Sequence, residues 1–404
     1  MNKRVVILGA GQAGVQVAIS LRQGGYEGEV ILAGKEPHVP YQRPPLSKQV
    51  LKKEWAAERC QLRHLEFYAQ HEIDLLLGVA AVKVDPAAQT VWLDDGSEWP
   101  YSQLAICTGA RLNRLNIAGG DLPGVHYLRT IDDSLSLVSQ LSPGKHIAVI
   151  GAGYIGLEVA AAARQLGCNV TVIEALDRIL KRSALPEIAA GLQRRHQQEG
   201  VTFMMGRKIV SVNGRQVVES VELDGGEILA ADAVLVGVGV QPDLRWIEGS
   251  GIETNRGIRV DETCRCNFEN VFAAGDVAES RHHLLSGWHV LESVQNAVSQ
   301  GQVVAANMNG NAETYTDIPW FWSEQYDCRL QMAGIAGTED QRVHRDNSDT
   351  GGFSLFSLSG GLLTAVQSLD SPRDYMVGRQ LIAHRTQLTA EQLADPNTNL
   401  KDLL

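Results

Sequence analysis

Several features common in other protein classes are missing from this sequence. No apolar run reaches the ~18–20 residues that a helical membrane span needs, so no part of the chain is expected to cross a bilayer as a helix. Cys-x-x-Cys does not occur, and the six cysteines (Cys60, Cys107, Cys168, Cys264, Cys266, Cys328) are scattered, with Cys264 and Cys266 the one close pair. That scatter argues against a dithiol redox centre and shows no metal-ligand spacing, so no metal is expected and the six read as ordinary thiols of a reducing cytoplasm. Positive charge is also short. With 36 Lys and Arg against 47 Asp and Glu the net charge is −11, which argues against nucleic acid or an anionic membrane as partner. The apolar start at Val5–Leu8 is cut off by a glycine turn and reads as a core strand rather than a signal peptide.

What is present is a repeated glycine turn. His146–Glu174 reads as an apolar strand, the turn Gly151-x-Gly153-x-x-Gly156, a helix, and a second strand ending in an acid. In such a dinucleotide fingerprint the first glycine permits the turn, the second lets a pyrophosphate approach the backbone, and the third allows helix and strand to pack closely. The helix amino terminus then offers its free N–H groups and positive dipole end to the phosphates. Glu174 falls near the ~20-residue spacing of the acid that binds a ribose 2′-hydroxyl. A carboxylate there repels a 2′-phosphate, so this site reads as one for NADH rather than NADPH.

The unit recurs at the amino terminus as Gly9, Gly11 and Gly14, again between an apolar strand and a helix. Two fingerprints imply two nucleotide-binding domains of similar build, the arrangement of a two-nucleotide flavoprotein. Here the second strand ends Gly34-Lys35-Glu36, so the ribose acid is either Glu36 or absent, with Lys35 in its place. At 404 residues and 44% hydrophobic content, two or three domains with sizeable cores are expected.

Along the chain, Pro44-Pro45 argues against a helix before Leu46, although Ser47 or the prolines could start one, and a loop beside the first fingerprint would bring Arg43 and Lys48 near a nucleotide; otherwise both are surface cations. Strands are expected over Ile73–Asp85, Thr90–Leu93, Leu104–Ala110, Val201–Met205, Ala233–Val236 and Val271–Asp276, with helices over Pro186–Gln198 and about Leu291–Met308. The small-residue ending Thr108-Gly109 would let backbone approach a cofactor. Arg129 either meets a pyrophosphate or pairs with Asp132 or Asp133. Asp276 lies at a strand carboxyl end, where open α/β sheets bind ligands, or else caps a following helix. The tail opens on Pro319-Trp320-Phe321-Trp322-Ser323, whose aromatics read on composition as core, and continues as strands and a helix in an α+β domain. Two nucleotide sites permit hydride transfer from a nicotinamide to a flavin. With no redox-active cysteine pair, and no cysteine in His38–Lys48, the electrons are expected to leave for an external acceptor.

Tyr41–Lys48, the second fingerprint extended through Leu157-Glu158, Ala274-Gly275-Asp276 and Pro319–Ser323, taken in that order, resemble the NADH-dependent ferredoxin reductases of bacterial oxygenase systems, of the putidaredoxin reductase and biphenyl dioxygenase reductase type. The resemblance covers essentially the whole chain. It implies a glutathione-reductase-like α/β fold: two Rossmann-type domains, with FAD bound by 1–110 and 238–316 and NADH by 111–237, and a C-terminal α+β domain over 317–404. It further implies FAD contacts at Gly9, Gly11, Ala13, Gly14, Arg43, Lys48, Val82, Thr108, Arg129, Asp276 and Val294. NADH contacts are implied at Ile155, Glu158, Glu174, Arg182 and Gly237. Lys48 and Glu158 are implied at the reactive edge of the flavin, and Trp320 against its ring on the ferredoxin side. Where the family often has an acid, this chain has Lys35.

The partner so implied is a 2Fe–2S ferredoxin that feeds a monooxygenase or ring-hydroxylating dioxygenase, receiving electrons in two single steps. Such ferredoxins are acidic, so docking calls for a cationic rim, sought among Lys52, Lys53, Arg59, Arg63, Arg281, His282 and His283. Rubredoxin or monodehydroascorbate as acceptor, or an NADH-responsive flavoprotein of the apoptosis-inducing-factor type, are the competing readings.

Overall fold

The structure, a computed structural model, describes residues 3–284 and 287–404. Packing divides the chain into two units: 1–42, 60–111 and 240–319 form the first, and 43–59, 112–239 and 320–404 the second.

In the first unit a parallel five-stranded sheet runs in the order Val271–Ala273, Gln103–Ile106, Arg4–Leu8, Glu29–Gly34, Ile73–Leu77. Its strands are almost continuously apolar because both faces are covered, as parallel sheets require. Val5, Ile7, Val30 and Leu32 pack on one side with the helices Gln12–Gln23 and Val294–Met308. Val6, Leu8, Leu104 and Ile106 pack on the other.

The second unit repeats this design. Its parallel sheet runs Val125–Tyr127, Ala233–Val236, His146–Ile150, Asn169–Glu174, Thr202–Met205. Each sheet also carries a three-stranded antiparallel meander between its third and fourth nucleotide-fold strands, over 81–100 and 209–230. The repeat legible in the glycines thus extends to whole sheets. One difference remains: the strand outside the fourth comes late in the chain in the first unit and early in the second. The short strand Val125–Tyr127, inside a segment that reads as a plain crossover, is that early strand.

The tail forms a five-stranded antiparallel sheet, ordered Trp320–Gln325, Cys328–Gly334, Leu362–Leu369, Gly352–Ser359, Gln341–Asn347, with the helix Pro372–His384 packed on it. Arg345, buried on the edge strand Gln341–Asn347, donates to the carbonyls of Asp395 and Thr398 and so ties down the chain end.

Several boundaries differ from the sequence reading. Ile73–Asp85 is two strands, Ile73–Leu77 and Ala81–Asp85, because Gly78 takes a positive φ of 78° between them. The strand before Thr108 stops at Ile106, and the one before Asp276 stops at Ala273. Pro44–Ser47 is a short 3-10 turn despite its prolines, since the first positions of such a turn need no N–H donor. Asp276 lies in the turn leading into the strand Ala278–Arg281, so no helix follows for it to cap. The strand Gln341–Asn347 is too polar to stand out in the sequence. Pro186–Gln198 and Ala233–Val236 fall where the pattern puts them.

Candidate active site

The two glycine turns have the same internal construction. A Cβ at Gly9 would collide with the Cys107 carbonyl and one at Gly14 with the Gly9 carbonyl. In the second unit Gly151 and Gly156 stand in the same relation to the carbonyls of Gly237 and Gly151. These four glycines are required by the protein's own packing. The middle glycines behave differently. Within 4 Å of a Cβ built on Gly11 or Gly153 there is no protein atom. Each cradle is therefore open at the position where a pyrophosphate must approach backbone, and the residues present fit a dinucleotide at both turns.

Around the first turn, Ala13 is buried in the fingerprint helix, and Thr108 and Gly109 follow the strand Gln103–Ile106, with Thr108 exposed. The carboxyl ends of the strands before Gly9, Thr108 and Asp276 lie side by side in this sheet. Val294 is the first residue of the helix Val294–Met308, whose N-cap Ser293 accepts from Asn296 N–H. Lys35 is exposed, whereas the Glu36 carboxylate accepts from the buried Tyr41 hydroxyl. By register the residue matching Glu174 is Gly34 rather than either of these. Val82 is 48% exposed on the meander.

Around the second turn, Ile155 is 43% exposed at the helix start, Gly237 N–H donates to Ile150 at 2.8 Å, and Arg182 is exposed. Glu174 accepts from Ala152 N–H at 2.7 Å and from Leu176 N–H at 2.9 Å. The acid that ends the strand thus fixes the backbone of the glycine turn.

The segment Arg43–Arg59 belongs to this second unit, where Arg43 donates to the Arg129 carbonyl at 2.6 Å and Ser134 to the Leu46 carbonyl at 2.7 Å. Asp133 forms a capping box with Thr130 and accepts from Arg129 N–H at 3.0 Å. The segment brings Lys48 to Glu158. Glu158 is 4% exposed on the fingerprint helix, and its Oε2 meets Lys48 Nζ at 2.7 Å. Ser47 donates to the same oxygen at 2.5 Å, and Ser323 donates to Oε1 at 2.7 Å. A carboxylate taken out of water needs such donors on both oxygens. Ser47 and Ser323 are the residues the sequence reading missed. Both lie in motifs it singled out, but no spacing rule points a serine at a glutamate so distant in sequence.

Trp320, Phe321 and Trp322 are half-buried rather than core, on a strand at one of the two edges of its sheet. The Arg379 guanidinium lies 5.6 Å from the Trp320 ring centroid, and Phe321 packs 4.3 Å from Tyr154. Of the expected cationic rim, His282 drops out. It is buried, donates through Nε2 to the Asp317 carbonyl at 2.9 Å, accepts from Leu284 N–H through Nδ1 at 3.2 Å, and burial pushes its pKa down. A neutral imidazole with both nitrogens engaged supplies no charge. Lys52, Lys53 and Arg59 lie in the second unit, and Arg63 and Arg281 in the first.

The six cysteines are buried and unbridged, and burial pushes the Cys107 thiol up to about 12. No reactive thiolate is available from it. Among the described residues no helix is long and apolar enough to cross a membrane, and no cluster of His, Cys, Asp and Glu is suited to a metal.

Residues 3–301 match the pyridine nucleotide-disulphide oxidoreductase family and residues 320–404 the reductase C-terminal family. Rhodocoxin reductase of Rhodococcus erythropolis is 42% identical over 98% of this chain and 93% of its own length. The ferredoxin–NAD(+) reductase component of the anthranilate 1,2-dioxygenase system of Burkholderia cepacia is 41% identical over 99% of this chain and 98% of its own. The crystal structure of the covalent putidaredoxin reductase–putidaredoxin complex superposes with a TM-score of 0.96 at 33% identity, covering 100% of this chain and 98% of that one. Two dinucleotide cradles, the C-terminal reductase domain and full-length identity at this level agree, and the chain belongs to the pyridine nucleotide-disulphide oxidoreductases, among the ferredoxin–NAD(+) reductases of oxygenase systems.

Proposed function

We propose that this protein takes a hydride from NADH onto FAD and hands the electrons singly to a 2Fe–2S ferredoxin, which feeds an oxygenase. The observation that carries the reading is the pair of glycine cradles, each open at its middle glycine, in a chain whose cysteines are all buried and unbridged. Bound FAD supplies the conversion from two-electron to one-electron chemistry.

The chain's own residues do the rest. In the first unit Gly9, Gly11, Ala13 and Gly14, with Thr108, Gly109, Asp276 and the helix start at Val294, bind FAD; Val82 and either Lys35 or Glu36 complete this set. In the second, Gly151, Gly153, Ile155, Gly156, Glu174, Arg182 and Gly237 bind NADH. Glu174, by holding the turn backbone and presenting negative charge, favours NADH over NADPH. Arg43 and Arg129 join the FAD set as cations for its pyrophosphate. Lys48, held by the buried Glu158, offers positive charge where reducing equivalents collect. Trp320 lines the way out to the ferredoxin. Residues 1–110 with 238–316, 111–237 and 317–404 serve as the FAD, NADH and C-terminal domains.

Steady-state turnover with NADH tests the reading. Putidaredoxin, a rubredoxin and the ascorbate radical are offered in turn. Putidaredoxin is expected to be reduced fastest, with a rate that falls as salt rises. Faster reduction of either alternative acceptor overturns the assignment.

A further inference from the structure

We infer that Glu158 is held in its working orientation by a one-way chain of hydrogen bonds running from Tyr326 through His196, Gln325 and Ser323, which makes these four positioning residues for hydride transfer. The inference rests on the reading that the Lys48–Glu158 pair serves that step.

The chain is continuous, and it is buried as far as the partly exposed Tyr326. Ser323 Oγ lies 2.7 Å from Glu158 Oε1, and Gln325 Nε2 lies 3.0 Å from Ser323 Oγ. Gln325 Oε1 lies 2.6 Å from His196 Nε2, and His196 Nδ1 lies 3.2 Å from the Tyr326 hydroxyl. Ser323, Gln325 and His196 are at most 2% exposed. Ser323 and Gln325 alternate on one strand, so they share a face. Glu158 and His196 come from two different helices, Tyr154–Gln165 and Pro186–Gln198.

Counting donors leaves one polarity. The Glu158 carboxylate, paired with Lys48, can only accept, so Ser323 spends its single proton on it. Ser323 must then accept from Gln325, which turns the amide NH2 toward the serine and the carbonyl toward His196. His196 therefore carries its proton on Nε2 and accepts at Nδ1 from Tyr326. Reversing any link leaves a buried group without a partner, at a cost comparable to a lost hydrogen bond. Bonds aligned in one sense polarise each other and strengthen the last of them, the one onto Glu158. Burial pushes the His196 pKa down to about 4, so the imidazole stays neutral and the polarity is kept at neutral pH. A cavity of about 60 Å³ adjoins both ends of the chain, bordered by Lys48, Glu158, Gln325 and Tyr326.

The experiment uses the FAD-loaded enzyme. Nitrogen NMR of selectively labelled histidine reads the His196 tautomer, and anaerobic stopped flow reads flavin reduction by NADH for Ser323→Ala, Gln325→Leu, Glu158→Gln and the double variant Glu158→Gln/Gln325→Leu. The expected tautomer is Nε2–H. Ser323→Ala and Gln325→Leu should each slow the limiting reduction rate about tenfold with the NADH dissociation constant unchanged. Gln325→Leu should cost nothing further once Glu158 is already glutamine. An Nδ1–H tautomer overturns the inference even if a variant fails to fold. So does a slow Glu158→Gln enzyme beside unaffected Ser323→Ala and Gln325→Leu enzymes, or an additive double variant. An unaffected Glu158→Gln enzyme overturns instead the reading of the Lys48–Glu158 pair on which the inference rests.

Discussion

Lys48 and Glu158 are 110 residues apart in the chain and 2.7 Å apart in space. The ammonium is held against a carboxylate that already accepts hydrogen bonds from Ser47 and Ser323. Lys48 gives Glu158 the counter-charge that the two hydroxyls do not, and the ammonium has further N–H donors to offer a second anion. Lys48→Met should slow flavin reduction by NADH at least tenfold and also lower stability, because Glu158 keeps two donors but loses its counter-charge. Stopped-flow reduction and circular dichroism check this. An unchanged rate would reduce Lys48 to an anchor for its loop.

The two kinds of glycine should separate cleanly by mutation. Gly14→Ala drives a methyl into the Gly9 carbonyl and should yield little folded protein, whereas Gly11→Ala meets no protein atom and should fold yet bind FAD weakly. In the second unit Gly153→Ala should leave the yellow colour intact and raise the NADH dissociation constant. Flavin content after gel filtration, with NADH titration, measures all three.

Glu174 holds Ala152 and Leu176 by their backbone N–H groups, so its loss acts on the glycine turn as well as on the nucleotide. Glu174→Ala should weaken NADH binding about tenfold, while NADPH, no longer facing a carboxylate, should lose less. The ratio of kcat/KM for the two nucleotides reads this directly. An unchanged ratio would remove Glu174 from coenzyme selection.

His196 gives the fold an acid-sensitive point. Its pKa lies near 6.5 in the unfolded chain and is depressed to about 4 by burial in the folded one, so the unfolded state binds the proton first as pH falls. The contribution of the neutral imidazole is complete above about pH 6.5 and is lost progressively down to about pH 4, amounting to roughly 3 kcal/mol. Urea unfolding between these values should show that decline, and His196→Gln should flatten it.

Where the chain had a periodic rule to follow, the sequence could be read. The glycine spacings, the strands His146–Ile150 and Asn169–Glu174, and the helix Pro186–Gln198 stand where pattern alone puts them. Local chemistry that depends on a partner could not be read. Val125–Tyr127 is a strand because Ala233–Val236 offers it an edge, and nothing in those three residues says so. His282 looks like a surface cation until burial and two backbone partners make it neutral. Trp320 and Trp322 look like core until an edge strand leaves them half-covered, while the polar Ser323 and Gln325 are its buried residues. Long-range encounters set the chemistry at Glu158, and linear spacing does not encode them.

The most direct test of the account is an anaerobic titration of the purified protein, first with NADH and then with oxidised 2Fe–2S ferredoxin. The account predicts a yellow protein that is bleached by one equivalent of NADH and regains its colour on two equivalents of ferredoxin. A protein that binds no flavin on reconstitution, or one bleached by NADH that the ferredoxin leaves bleached, would contradict it.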